Sequence, residues 1–330
     1  MKALQITELS GPDSALSAVD IPEPEASHML TPGSGVVVDV VAAGVSFPEV
    51  LQTRGEYQFK PDLPFVPGAE VAGTVRSAPE GSRLKPGDRV AAMAMLGGFA
   101  EVAVAPDFLA FPLNDKLDFA QGAGLVLNYH TAYFCLKLRG RLAEGETVLV
   151  HGAAGGVGTA SIQVAKGLGA ASVIAVVSSD EKEQVAREAG ADEVVRSDGP
   201  WKDEVKALGG ADVIVDPVGG DRFTDSLRSL KEEGRLVVVG FTGGSIPEVK
   251  VNRLLLNNVE VVGAGWGAYV MAKQKVNREI GEALEPMIES SVVAPLIGAR
   301  FPLDQAAEAL KLIDGRGATG KVVLDVAPQT

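Results

Sequence analysis

A glycine-rich turn between a short apolar run and a helix-like run constrains this chain more than any other feature. Residues 147–170 read TVLVHGAAGGVGTASIQVAKGLGA, so an apolar strand enters the turn and a helical pattern leaves it. Gly155, Gly156 and Gly158 allow a sharp turn, a close approach of the backbone to a phosphate, and tight packing of the helix on the strand. Ala153 replaces the first glycine of the usual G-x-G-x-x-G pattern. The flanking strand and helix favour a dinucleotide pyrophosphate site over an ordinary strand-to-helix turn.

The size and composition of the chain indicate a globular protein of about two domains. It has 330 residues, of which 46% are hydrophobic and 22% charged. The formal net charge of -13 argues against a nucleic-acid partner and against binding to an anionic membrane surface. The single cysteine, Cys135, excludes an intramolecular disulfide and a multi-cysteine metal cluster. No apolar run reaches about 18 residues, and the N-terminal sequence lacks the apolar core of a signal peptide, so we predict a cytoplasmic protein.

The spacing of apolar runs divides the chain into two parts. Up to about residue 120, short apolar runs alternate with Gly and Pro turns, which predicts an irregular antiparallel β barrel. Beyond it, amphipathic stretches separate six apolar runs, at residues 148–150, 173–177, 193–195, 213–215, 236–239 and 259–263. This alternation predicts an α/β fold with a doubly wound parallel sheet. Residues 301–326 predict a helix and a strand that return to the first part.

Five segments carry a resemblance that extends over essentially the whole chain. They are AAGVSFPEVLQTRGEYQFKPDLPFVPGAEVAGTV (residues 42–75), KPGDRV (85–90), NYHTAYFCL (128–136), HGAAGGVG (151–158) and GKVVL (320–324). In order and spacing they resemble the zinc-independent quinone oxidoreductase branch of the medium-chain dehydrogenase/reductase superfamily. The resemblance implies a GroES-like β-barrel catalytic domain of residues 1–121 and 268–330, a Rossmann domain of residues 122–267, and an active site in the cleft between them.

The resemblance also indicates that the chain holds no metal. In zinc-dependent members, the catalytic metal is bound by a cysteine that would fall at Ser46 and a histidine that would fall at Ala69. Catalytic zinc needs about three protein ligands, and His28 and His130 have no supporting constellation. His151, at the end of the first strand of the parallel sheet, is interpreted as a satisfied buried histidine rather than a ligand.

Without a metal, hydrogen-bond donors must stabilise the oxygen that gains charge when a conjugated carbonyl accepts hydride. Tyr57 is the leading candidate, because it lies in the GEYQ loop where similar reductases keep a cleft tyrosine. The alternative is that Tyr57 is an aromatic anchor of its loop. Ser46 is the second candidate catalytic residue; with Glu49, it stands where many quinone reductases have Asn and Asp.

The end of the second strand of the parallel sheet indicates which cofactor binds. Enzymes that use NAD place an acid there, about 20 residues past the glycine turn, and this position is Val177. The side chains that follow can instead contact a ribose phosphate, which favours NADPH over NADH: Ser178, Ser179, Lys182 and Arg196. Asp180 raises the NADH alternative, but with Glu183 it is interpreted as a helix capping box.

The remaining cofactor contacts are implied by the resemblance. They are Asn128, Thr131, Ala154, Gly155, Gly156, Val157, Val218, Phe241, Gly265, Trp266 and Lys321. Four have a structural alternative: a helix-cap hydroxyl for Thr131, a core aromatic for Phe241, simple packing for Trp266, and a solvated side chain for Lys321.

Three functions remain open. The first is an NADPH-dependent quinone reductase, the second an enoyl-thioester or enone reductase on the same fold, and the third a noncatalytic NADPH-binding structural protein. The expected substrate is a small quinone or enone. The apolar run at residues 259–263 should form the last strand of its sheet, and such an edge predicts a homodimer.

Overall fold

The structure is a computed structural model that describes residues 1–328. The chain forms two units, one of Met1–Leu127 together with the chain from Pro295 onward, the other of Asn128–Ala294. Residues 268–294, which the sequence interpretation gives to the first unit, therefore belong to the second, and residues 122–127, which it gives to the Rossmann domain, belong to the first.

The strands and helices follow one another in the order that the sequence pattern suggests. The strands are β1 (Lys2–Ile6), β2 (Leu16–Asp20), β3 (Val36–Val45), β4 (Glu70–Ser77), β5 (Arg89–Met93), β6 (Val102–Ala105), β7 (Ala110–Pro112), β8 (Thr147–His151), β9 (Ser172–Val177), β10 (Glu193–Arg196), β11 (Ala211–Asp216), β12 (Leu230–Val238), β13 (Glu260–Gly263), β14 (Ile297–Pro302) and β15 (Lys321–Asp325).

The α-helices are α1 (Phe47–Thr53), α2 (Phe119–Gly122), α3 (Thr131–Tyr133), α4 (Gly156–Gly167), α5 (Asp180–Glu188), α6 (Trp201–Ala207), α7 (Phe223–Ser229), α8 (Asn252–Asn257), α9 (Trp266–Ala272), α10 (Lys275–Glu289) and α11 (Ala306–Asp314). π-Helical turns, Val126–His130 and Phe134–Arg139, flank α3. Within residues 1–328, none of the helices combines the length and the apolar character needed to cross a membrane.

The first unit is built on a seven-stranded sheet around β3. Its order is β14-β15-β3-β4-β5-β7, with β6 also paired to β3, and a separate hairpin joins β1 to β2. All pairs are antiparallel except β14 with β15. β15 pairs with β3, so the last helix and strand return to the first part of the chain as predicted. The apolar side chains of β3, β4 and β15 form the core of this unit.

The second unit is the predicted doubly wound parallel sheet. Its strand order is β10-β9-β8-β11-β12-β13, and every pair is parallel. Because the chain leaves β8 in one direction along the sheet and returns to its other side at β11, the order reverses between these two strands. Ligands of such sheets bind where the strand order reverses, at the carboxyl ends of the strands. β13 is the last strand, as the sequence predicts.

Candidate functional site

The glycine turn lies at the carboxyl end of β8, beside the point where the strand order reverses. Gly152 has a φ of 57°, a left-handed conformation that favours glycine, and Gly155 caps the start of α4. A Cβ at Gly158 would lie 2.2 Å from the Gly152 carbonyl oxygen, so α4 packs directly on the turn. Among residues 1–328, a Cβ at Gly155 would have one neighbour within 4 Å, the Gly152 oxygen at 3.5 Å. This open face beside the free N–H groups of the first helical turn fits a phosphate group.

Asn128 closes one side of this turn. Its Nδ2 atom lies 2.5 Å from the place that a Cβ of Gly156 would take, so position 156 has no room for a side chain. The Asn128 side chain is buried, 5% exposed, and lies in the π-helical turn that leads into α3. Thr131 begins α3, but the residue before it already has helical φ and ψ and the helical run is continuous. The interpretation of Thr131 as a helix cap is therefore wrong, and its contact with a cofactor stays a prediction.

The four polar residues predicted to contact a ribose phosphate lie together at the carboxyl ends of β9 and β10. Ser179 caps α5 and accepts a hydrogen bond from the Lys182 backbone N–H at 3.3 Å, while Lys182 Nζ donates to Ser178 Oγ at 3.4 Å. Arg196 Nη2 donates to the Ser178 carbonyl oxygen at 3.0 Å. The group presents two hydroxyls and the Lys182 ammonium, which fits a phosphate monoester. The Arg196 guanidinium is paired with the carboxylates of Asp180 and Asp198.

The capping-box interpretation of Asp180 is wrong by one position. Ser179 is the N-cap, and Asp180 is the first residue of α5. Both residue types are good caps, so the pattern alone does not separate them. The Asp180 carboxylate forms an ion pair with Arg196 instead.

The other predicted cofactor residues of the second unit lie near the same end of the sheet. Val218 Cγ2 is 3.2 Å from the place of a Cβ on Gly152, so this side chain borders the glycine turn. Phe241 packs on Gly219 and is 38% exposed, which excludes the core-aromatic alternative. Gly265 precedes α9, and Trp266 is buried with its ring 5.9 Å from that of His130. This contact is consistent with the packing alternative for Trp266.

In the first unit, a buried cluster of polar side chains lies at the end of β3. Lys321 Nζ, on β15, donates to Ser46 Oγ and to Glu70 Oε2, each at 2.8 Å. We call Ser46, Glu70 and Lys321 the Lys321 cluster. Lys321 is 3% exposed, so the alternative of a solvated side chain is wrong. Glu49 borders the cluster: its carboxylate accepts hydrogen bonds from the backbone N–H groups of Ser46 and Ala69, both at 2.9 Å.

Burial and neighbouring charges shift the pKa values of Glu49, Glu70 and Tyr57 in the first unit. Burial raises the pKa of the Glu49 carboxyl, and the Lys321 ammonium and the two backbone N–H groups oppose the rise. Burial likewise raises the pKa of Glu70, against the contact with Lys321. The pKa of the Tyr57 phenol is raised by burial and then by the charge of Glu49. Tyr57 therefore keeps its proton at neutral pH and remains a hydrogen-bond donor.

Sequence reasoning missed that Glu70 is the partner of Lys321. The signal was available in part: GAEVAGTV and GKVVL each place one charged residue at the start of an otherwise buried strand. A charge in such a place needs a partner.

Ser46 and Ala69, which stand where zinc-dependent members have their zinc ligands, do not belong to a group of metal-binding side chains. Across residues 1–328, no three His, Cys, Asp or Glu side chains are grouped so that they could hold an ion. His151 is fully buried, with its Nε2 atom 2.8 Å from Ser226 Oγ, so it is a core histidine rather than a metal ligand. Its Nδ1 atom has no hydrogen-bond partner within residues 1–328, so the ring is satisfied at one nitrogen only.

A Rossmann sheet with a glycine turn at its switch point, joined in one chain to a GroES-like unit, defines the class of dinucleotide-dependent dehydrogenases and reductases. The zinc-binding dehydrogenase family model matches residues 156–283, and the alcohol dehydrogenase GroES-like domain matches residues 32–115. Ser46 and Ala69, the positions that correspond to the zinc ligands of zinc-dependent members, lie in the second of these ranges.

Curated and solved proteins agree with this class. The chain is 40% identical to quinone oxidoreductase-like protein 2 of Bos taurus over 88% of this chain and 85% of the relative. It is 35% identical to the quinone oxidoreductase of Mus musculus, over 98% and 97%. The Thermus thermophilus quinone oxidoreductase, whose structure is also known in complex with NADPH, has a TM-score of 0.82 and 33% identity over 99% of this chain and 100% of that one. The chain belongs to the quinone oxidoreductase branch of the medium-chain dehydrogenase/reductase superfamily and is an oxidoreductase.

Proposed function

We propose that this protein is an NADPH-dependent reductase that passes hydride to a quinone or a related conjugated carbonyl compound without a metal ion. The observation that carries the proposal is the group of Ser178, Ser179, Lys182 and Arg196 beyond β9, beside a glycine turn that fits a pyrophosphate. The names of the relatives support the acceptor class, and the NADPH complex of the Thermus protein supports the cofactor.

The residues of this chain have distinct roles in the proposed reaction. Bound NADPH supplies a hydride from C4 of its nicotinamide ring. The turn residues Ala154, Gly155, Gly156 and Val157 would hold the pyrophosphate, and Asn128, Thr131, Val218, Phe241, Gly265 and Trp266 would complete the cofactor contacts. Lys321, which the resemblance also gives to the cofactor, is hydrogen-bonded to Ser46 and Glu70. When the electron pair reaches a conjugated carbon of the acceptor, negative charge appears on its oxygen. Tyr57 and Ser46 donate hydrogen bonds to that oxygen and so lower the barrier.

Lys182 is expected to determine the preference for NADPH. Lys182→Ala removes a cation from the ribose phosphate, so NADPH should bind more weakly by about 1.5 to 3 kcal/mol, or roughly 10- to 150-fold, whereas the affinity for NADH should hardly change. Fluorescence titration of the apoprotein with both nucleotides measures this. Arg187→Ala is the matched control, because Arg187 is a cation of the same helix that pairs with Glu183. Equal affinity of the wild type for the two nucleotides would contradict the prediction.

A spectrophotometric screen of NADPH oxidation tests the reaction class. We expect quinones to be the best acceptors, ahead of enones, enals and enoyl thioesters, and the rates to persist in the presence of a chelator. If an enoyl thioester is reduced fastest, the enoyl-thioester reductase replaces the quinone reductase as the function. No oxidation with any acceptor, despite tight NADPH binding, would favour a noncatalytic protein. Loss of activity on chelation, with stoichiometric zinc found by elemental analysis, would overturn the metal-free proposal.

We also propose that the protein is a homodimer joined through β13. This strand ends the parallel sheet, and the preceding helix α8 carries two apolar side chains that are 77% and 75% exposed, Leu255 and Leu256. A strand edge beside exposed apolar side chains favours pairing with a second copy. Light scattering at micromolar concentration should give twice the monomer mass, and a purely monomeric protein would contradict this.

A further inference from the structure

The Lys321 side chain reaches its partners along a path that two glycines of the first unit leave open. In the sheet, Glu70 on β4 pairs with Gly44 on β3, while β15 lies on the other side of β3. Lys321 must therefore pass over β3 to reach Glu70. It does so at Gly44, where a Cβ would lie 2.7 Å from Lys321 Cε and 2.9 Å from Nζ. A second glycine, Gly124, leaves room for the Lys321 stem, since its Cβ would lie 3.0 Å from Cγ.

Stability alone does not account for this arrangement. The Lys321 and Glu70 side chains are 3% and 1% exposed, and removing two charges from water costs about as much as their attraction returns. Glu70 is held from both sides, because its Oε1 atom accepts a hydrogen bond from the Leu127 backbone N–H at 2.9 Å. The ammonium therefore has a fixed position. Its second hydrogen bond is to the hydroxyl of Ser46, and the charge of the Glu49 carboxylate also acts on it.

Ser46 is the one member of the cluster that reaches the surface. Its side chain is half-buried, and its Oγ atom accepts from Lys321. Within residues 1–328, the Ser46 hydroxyl donates its own hydrogen to no acceptor. A hydroxyl that accepts from a cation directs its hydrogen away from that cation and becomes a stronger donor.

We propose that Lys321 is a positioning residue of the reductase, which fixes and polarises the Ser46 hydroxyl so that it donates a hydrogen bond to the acceptor oxygen that gains charge. Glu70 anchors the ammonium and neutralises it, so the pair presents its positive end to Ser46. No proton leaves Lys321, and no bond to it forms or breaks. This inference rests on the proposed function and assigns to Lys321 a role toward the acceptor rather than toward the cofactor.

A mutant cycle tests whether the lysine acts through the serine. Its corners are the wild type, Ser46→Ala, the double variant Lys321→Met with Glu70→Gln, and the combination of all three changes. The double variant removes both buried charges together, so that neither is left unpaired. With 1,4-naphthoquinone and with 2-cyclohexenone, we expect Ser46→Ala and the double variant each to lower kcat about tenfold or more. The triple variant should be no slower than Ser46→Ala.

The same set of variants can also be compared by a binding measurement, which does not depend on turnover. Binding of 4-nitrophenolate, a stable oxyanion, to the NADP⁺-loaded protein should weaken about tenfold in the single and double variants and no further in the triple variant. Lys231→Met with Asp212→Asn is the matched control, because it removes another lysine–carboxylate pair with a 2.8 Å contact. That variant should keep the wild-type kcat and 4-nitrophenolate affinity. Circular dichroism melts verify folding in every variant.

The outcomes separate this inference from the proposed function. Suppose that the wild type reduces the acceptors, but that the loss of kcat in the triple variant is the product of the losses in Ser46→Ala and in the double variant. Lys321 then does not act through Ser46, and the inference is wrong while the proposed function stands. A rise in the Kd of NADPH that accounts for the loss in the double variant would also overturn it, because Lys321 would then serve the cofactor. If no acceptor is reduced but the cycle in 4-nitrophenolate binding is non-additive, the coupling of Lys321 to Ser46 stands and the proposed reaction fails.

Discussion

Replacing Gly158 with alanine is expected to abolish NADPH binding and to destabilise the second unit. The added methyl carbon would lie 2.2 Å from the Gly152 carbonyl oxygen and 2.7 Å from two backbone atoms of Ala153. These are backbone atoms of a tight turn, so α4 itself must move away from β8. We expect overpacking to cost about 3 kcal/mol, the upper end of the usual range. The displaced helix would no longer direct its N–H groups at the pyrophosphate.

Thermal melts of the variant with and without NADPH measure both effects. The apoprotein should melt several degrees lower than the wild type, and added NADPH should no longer raise the melting temperature. Gly267→Ala is the matched control, because a Cβ at that helical glycine would meet nothing within 4 Å. If Gly158→Ala bound NADPH as tightly as the wild type, α4 would not be the anion-binding element.

The doubly wound sheet was predictable because each of its strands contains a run of apolar residues and the first ends in a glycine turn. The domain boundary was not predictable. The chain up to Ala294 is joined to the second unit by Gln163, whose side chain donates to the Ala294 carbonyl at 3.0 Å and accepts from its N–H at 2.9 Å. This contact joins residues that are 131 positions apart, so no local sequence pattern predicts it.

The candidate site was predictable to different degrees in the two units. Ser178, Ser179, Lys182 and Arg196 follow from register, because parallel strands bring their carboxyl ends to one edge of a sheet. The contact of Lys321 with Glu70 depends on two strand registers and on a glycine between them, so a sequence pattern shows only that each charge needs a partner. The ion pair of Asp180 with Arg196 likewise requires the positions of two separate strand ends.

Replacing Tyr57 with phenylalanine is expected to lower kcat/KM about ten- to a thousandfold while the Kd of NADPH hardly changes. Burial and the charge of Glu49 raise the pKa of the Tyr57 phenol, so the wild type keeps its donor throughout the neutral range. Quinones form stable reduced oxyanions by themselves, so the loss of kcat/KM with a quinone should lie at the lower end of this range. Enones depend more on the donor, so their loss should be larger. Steady-state kinetics with 1,4-naphthoquinone and 2-cyclohexenone compare the two acceptors directly.

Tyr133→Phe is the matched control for Tyr57→Phe. It removes the same hydroxyl from another tyrosine whose pKa is raised by burial, at a position outside the proposed site, and it should leave kcat/KM unchanged. A role of Tyr57 in packing alone predicts no loss with either acceptor, because phenylalanine keeps the ring that packs. A role as oxyanion donor predicts a larger loss for the enone with little change in melting temperature, because the ring remains in place. If Tyr57→Phe kept full activity with both acceptors, the phenol would only anchor its loop, and Ser46 would be the remaining donor of the first unit.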